Sequence, residues 1–153
     1  MNKKIVVILI ICLLIFGGVC YFDVFNQNGL KVGVTTFNMP KGYHESGVND
    51  AGELKITNND NNTIFLSEYS DDNIDQYVYS YRKYNGEKNN TVFLKNFTVD
   101  NVFVYKSDLI NDTNNVHYWF VYNNHTYMVY SWDGNVKMDS IVFDLIKSAK
   151  SSN

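Results

Sequence analysis

Eighteen uncharged and mostly apolar residues in a row, bounded by Ile5 and Phe22, constrain this chain more than anything that follows them. A helix of that length, rising about 1.5 Å per residue, is about 27 Å long, close to the roughly 30 Å hydrocarbon core of a bilayer. Inside a small domain a helix apolar on every face would find no room. The segment therefore predicts an N-terminal transmembrane helix. Lys3 and Lys4 precede it and Asp23 is the first charge beyond it, so the positive-inside bias holds the N-terminus in the cytoplasm and places the body of the chain outside. A cleaved secretory signal shares the basic start, with a small-x-small site only loosely supplied by Gly18-Val19-Cys20. A lipoprotein signal would acylate Cys20, but Gly17 and Val19 stand where a leucine and a small residue are wanted. All three readings export the domain, and the span length favours the uncleaved anchor. Residues 1–22 are then the anchor, 23–30 a short tether containing Asn28-Gly29, and 31–150 a single exported domain.

Charge and cysteine usage narrow what that domain can be. The thirteen Lys and Arg less Lys3 and Lys4 leave eleven against sixteen Asp and Glu, a net charge of −5 with no basic cluster. Nucleic acid is a disfavoured partner. Cys12 and Cys20, the two cysteines, both lie in the apolar segment, so no disulfide framework can staple the exported part. Its stability has to come from a core, and with 16% Phe, Trp and Tyr that core is aromatic.

Along the domain, residues 31–39 read as a first strand stopped by Pro40, and 41–52 as a loop punctuated by Gly42, Gly47 and Gly52. Residues 53–57 and 63–69 flank a polar turn and predict a hairpin. Asp71-Asp72-Asn73 offers capping oxygens to a helix whose inward face is Ile74, Tyr77, Val78 and Tyr81, with Asn85-Gly86 as its stop. Residues 91–97 and 99–106 read as strands, and 107–115 as a polar loop. The aromatic, β-branched runs 116–122 and 126–132, joined by Asn123-Asn124-His125, predict a second hairpin. A final helix, capped by Asp139 or Ser140, carries the stripe Ile141, Val142, Leu145, Ile146 and Ala149. The fold class expected is α+β: the transmembrane helix, then a mainly antiparallel sheet of about six or seven strands packed with two helices.

Chemistry-bearing motifs are few. His44, His117 and His125 are not at helical ligand spacing, no cysteine joins them, and His117 is expected to face outward while Tyr118, Phe120 and Tyr122 turn inward. Asp71, Asp72 and Asp75 are read as helix capping, and the run 58–62 as a plain turn because it lacks the spacing of a calcium loop. Ser67, Ser70, Ser80, Ser131 and Ser140 have no glycine elbow around them. No cofactor, metal site or catalytic residue is expected. Sequons at Asn61, Asn89, Asn96, Asn111 and Asn124 could carry glycans on an exported chain. Both faces of the second hairpin bear rings, so either helices cover both or one face presents Tyr and Trp to a partner. On the latter reading the contact surface centres on Tyr79, Trp119 and Trp132.

The segment Phe37-Asn38-Met39-Pro40-Lys41-Gly42-Tyr43, the long central helix, the strands around Tyr118-Trp119-Phe120 and Tyr127-Met128-Val129-Tyr130, and the close Leu145-Ile146-Lys147-Ser148 resemble the PsbP-like group of small exported proteins. The Asn- and Tyr-rich style is also similar to single-span surface proteins of methanogenic archaea. The PsbP-like resemblance implies a binding or assembly module rather than an enzyme. The function expected is a membrane-anchored, extracytoplasmic module that binds an envelope protein or glycan. Two alternatives stand beside it: an exported small-ligand receptor or enzyme subunit with a pocket between helix and sheet, and a glycosylated structural surface protein.

Overall fold

The computed structural model describes residues 29–109 and 112–151. The expected span, both cysteines, most of the tether and the Asn111 sequon lie outside them. Among the described residues no helix is long and apolar enough to cross a membrane. They form an α+β structure: a seven-stranded antiparallel sheet, a small three-stranded sheet and two helices.

The large sheet is assembled from hairpins. β3 (Tyr43–Val48) pairs with β4 (Leu54–Asn58), β4 with β5 (Thr63–Tyr69), β6 (Val92–Val99) with β7 (Val102–Leu109), and β8 (Asp112–Tyr122) with β9 (His125–Ser131). Their order across the sheet is β3-β4-β5-β9-β8-β7-β6. The turns Asp100-Asn101 and Asn123-Asn124 hold both central residues at positive φ, 46° and 66° in one, 52° and 62° in the other. Two-residue hairpins need that backbone to match strand twist, and Asn and Asp tolerate it best after glycine. His125, expected in the loop, is the first residue of β9.

Three differences from the expected elements share one cause, backbone pairing that side-chain pattern does not announce. The expected first strand is two: β1 (Gly29–Val32) folds back on β2 (Thr35–Asn38) around Gly33-Val34. Gly29 and Leu30, expected in the tether, belong to β1, and Leu30 is fully buried. The expected loop at 41–52 contains β3, a sheet-edge strand exposed along almost its whole length, with a register shift between Glu45 and Gly47. The expected loop at 107–115 is largely strand, because β7 runs to Leu109 and β8 starts at Asp112.

Helix α1 (Ile74–Glu87) starts as its residues predict: the Asn73 side chain accepts from the Gln76 N–H at 3.3 Å, and Asp75 lies in the first turn, where negative charge suits the helix dipole. Helix α2 (Met138–Ser148) differs at its start. Lys137 is the cap residue and makes no side-chain capping bond. Asp139 sits inside the first turn instead, accepting from the Tyr118 hydroxyl at 2.7 Å and from Lys106 at 3.0 Å. Burial pushes its carboxyl up, but those two donors outweigh it and hold the group below its ordinary value.

The main core lies between one face of the large sheet and the layer formed by α2 with the small sheet β1-β2-β10, where β10 is Lys150–Ser151. Leu30, Phe37, Val142 and Leu145 meet Ile64, Phe120, Tyr127 and Val129 there. Phe37 stands edge-on to Tyr127 at 5.4 Å and to Phe120 at 6.2 Å, the arrangement the ring quadrupoles favour.

The small sheet is pinned to the large one at Gly33, whose φ is +57°. The Glu68 carboxylate occupies the space a Cβ would need. It accepts from the Val34 N–H at 3.3 Å and lies 2.7 Å from His125 Nδ1. Gly33→Ala should therefore cost about 1–2 kcal/mol from the left-handed backbone alone, with displacement of Glu68 adding to it. An unchanged urea midpoint for that variant would show the turn to be unconstrained.

Candidate functional site

Residues directly opposite each other across a sheet share a face, and side chains alternate along each strand. On β8, Tyr118 and Phe120 enter the core under α2, so His117 and Trp119 turn to the other face. Pairing aligns Phe65 with Tyr130, Tyr130 with His117, and His117 with Ser107 across four strands. The first three rings stack: Phe65 to Tyr130 at 5.0 Å and 16°, Tyr130 to His117 at 4.6 Å and 8°. Trp119 continues the stack from His117 at 5.6 Å and 18°.

Helix α1 covers one half of this face. Its Tyr81 ring lies 4.5 Å from His117 and 5.1 Å from Trp119. Trp119, expected on the contact surface, is only 1% exposed, and His117, expected to face outward, is 7% exposed. Both are core residues of a second apolar layer, because alternation sends them to the face that α1 needs. Tyr79 is 67% exposed and Trp132 58%. They do not form one surface with Trp119. Tyr79 lies beside the buried Val78 and lines neither groove that flanks Trp132.

Trp132 follows directly on β9 and leans on Phe65 at 5.2 Å and Tyr130 at 5.3 Å. That footing is held by Glu53, which accepts from the Tyr130 hydroxyl, from Ser67 Oγ at 2.8 Å and from Asn49 Nδ2 at 2.7 Å. Burial, then the bond to Glu53, pushes the Tyr130 phenol well above its ordinary value, so it stays a donor. A groove opens on each side of Trp132. One, of about 590 Å³, runs over Phe65 past Lys55, Asn61 and Asp133. The other, of about 420 Å³, lies between the end of α1 and the sheet, with Tyr84, Asn90, Asn115 and His117 among its walls.

Two lining residues of this second groove, Asn115 and His117, carry buried polar atoms. His117 Nδ1, Asn115 Oδ1 and, on the neighbouring β7, Ser107 Oγ are buried without a hydrogen-bond partner among the described residues. Desolvation lowers the His117 pKa to about 4, with Glu53 pulling weakly the other way, so the imidazole is neutral at pH 7. A neutral ring walled by aromatics can stack and hydrogen-bond but is a weak base. No group of three or more His, Cys, Asp or Glu that could hold a metal occurs among the described residues. His117 and Asn115 carry no sequence motif. Their signal was the alternation that sets 115, 117 and 119 on one side of β8.

The sequon residues Asn61, Asn89, Asn96 and Asn124 are all exposed, and Asn61 lines the first groove.

No family model matches the chain, and no curated protein matches it. Among solved structures it is similar to the solution structure of cyanobacterial PsbP from Synechocystis, with a TM-score of 0.48 and 11% identity, covering 77% of this chain and 86% of that one. That is the group the sequence resembles, but so faint a likeness carries no weight beside the chain's own residues.

Proposed function

We propose that this chain is a non-catalytic binding module, held at the extracytoplasmic side of a membrane by residues 5–22 and meeting an envelope component through the face around Trp132. The observation that carries the binding face is Trp132 itself: a large ring, 58% exposed, on a footing fixed by Phe65, Tyr130 and Glu53. An indole already held in place loses little conformational freedom on binding, and buried Trp and Tyr dominate the energetics of known interfaces. The anchor rests on the length and charge flanks of the apolar segment. The single-span surface proteins of methanogenic archaea, similar in style, would share that plan.

Trp132→Ala in the full chain is expected to reduce capture of envelope components from native membranes at least tenfold, in keeping with the roughly 2 kcal/mol or more of an interface hot spot. Tyr79→Ala should do less, since that ring stands away from both grooves. Capture by Trp132→Ala at the level of the parent chain would remove this face from consideration. The anchor is tested separately: alkaline carbonate should leave the chain in the membrane, and protease added outside intact cells should digest the domain. Intact mass of the extracted protein reports cleavage, acylation at Cys20 and sequon occupancy together. A glycan at Asn61 would cover the first groove and leave the second open.

A further inference from the structure

The two grooves beside Trp132 differ in what they ask of an occupant. In the first, Lys55 and Asp133 supply both signs of charge beside the neutral Asn61 and Thr63. In the second, lined by Tyr84, Lys88, Asn90, Asn115, His117 and Trp132, no carboxylate takes part among the described residues. Lys88 is its one charged side chain and sits over the Tyr84 ring, 4.1 Å from the centroid, bonded to the Tyr84 hydroxyl. Asn90 is engaged too, donating from Nδ2 to Asn85 Oδ1 at 3.3 Å. The groups without a partner among the described residues are Asn115 Oδ1, an acceptor, and His117 Nδ1. A buried polar atom without a partner costs about 1–3 kcal/mol, and two in one groove are a standing preference for a ligand that supplies hydrogen bonds.

From these features we infer that the groove between α1 and the sheet binds a neutral saccharide unit, with hydroxyls reaching Asn115 and His117 and a ring face against Trp132. A hydroxyl both donates and accepts, so it serves Asn115 Oδ1 and either tautomer of the imidazole. The exposed Trp132 ring offers aromatic surface to the C–H face of a sugar ring. A groove volume of about 420 Å³ lies within the roughly 300–1,000 Å³ usual for small-ligand sites. With one cation among its described residues, already engaged, the lining does not select for an anionic chain. This deepens the binding reading above by naming the ligand class, and it rests on that reading.

The test uses the full chain in a zwitterionic, sugar-free detergent, probed with neutral hexose and N-acetylhexosamine oligosaccharides beside uronate- and sulfate-bearing ones. The best neutral probe is then titrated by calorimetry. A neutral oligosaccharide is expected to bind, and His117→Phe, which keeps the ring stack but removes Nδ1, should weaken it at least tenfold while leaving the unfolding midpoint unchanged or higher. A residue that only packs would not lose affinity while keeping stability. If His117→Phe fails to fold, Asn115→Ala carries the same expectation. Binding of anionic probes alone, undiminished neutral binding in both variants, or no saccharide binding would each overturn the inference. In those cases loss of envelope capture by Trp132→Ala would still uphold the binding face, so the two failures are distinguishable.

Discussion

Trp119→Ala is expected to remove about 3–5 kcal/mol of folding stability, the usual cost of truncating a buried large aromatic ring. Domains of this size hold about 5–15 kcal/mol in all, so this one substitution should leave a protein that is partly unfolded at moderate temperature. The reason is position. Trp119 is 1% exposed, ends the ring stack that begins at Phe65, and receives Tyr81 edge-on at 5.1 Å. Its loss opens a cavity under α1 and unseats His117 at the same time. Trp119→Phe keeps an aromatic ring and should cost less than the alanine variant. Urea unfolding of the full chain measures both, and a change under about 1 kcal/mol for Trp119→Ala would mean that α1 does not seal this layer.

The second large effect is acid lability from His117. Its folded pKa is lowered to about 4 from 6.5, so between those values the unfolded chain takes up a proton that the folded chain refuses. Stability is therefore complete above pH 6.5 and falls as pH drops toward 4, by about 3 kcal/mol in total at roughly 1.4 kcal/mol per unit. Asp139 acts in a different window. Its carboxyl is held below the ordinary 3.8, so its contribution is lost only as pH falls below that value. Unfolding free energies between pH 7 and 4 should show the histidine slope in the parent chain and lose it in His117→Phe. An equal slope in both proteins would place the proton uptake elsewhere.

Much of the fold was legible because hairpins and capped helices write themselves locally. Polar turns between alternating runs marked β4–β5 and β8–β9, and Asn73 marked the start of α1. What was not legible depended on partners distant in sequence. β3 is exposed on both faces, so no alternation betrays it; only its pairing with β4 makes it a strand. The break at Gly33 is fixed by Glu68, thirty-five residues further on. At the site, alternation along β8 correctly groups 117 and 119 but is silent on which face a helix will cover, and that decided against Trp119 as a surface residue. Trp132 escaped the same fate by following the end of β9, where the rows of the sheet run out.

The first and last described strands lie in the same small sheet. β2 pairs with β1 on one side and with β10 on the other, the Asn38 N–H donates to Ser148 Oγ at 2.9 Å, and the Tyr127 hydroxyl reaches Thr35 Oγ1 at 2.8 Å. Contacts that span so much of the chain form late, because their loops must close first. Leu30 and Phe37 consequently find no complete shelter until α2 has been synthesised. If residues 5–22 export the domain as proposed, it stays threadable until α2 and β10 emerge, and then locks from both ends at once.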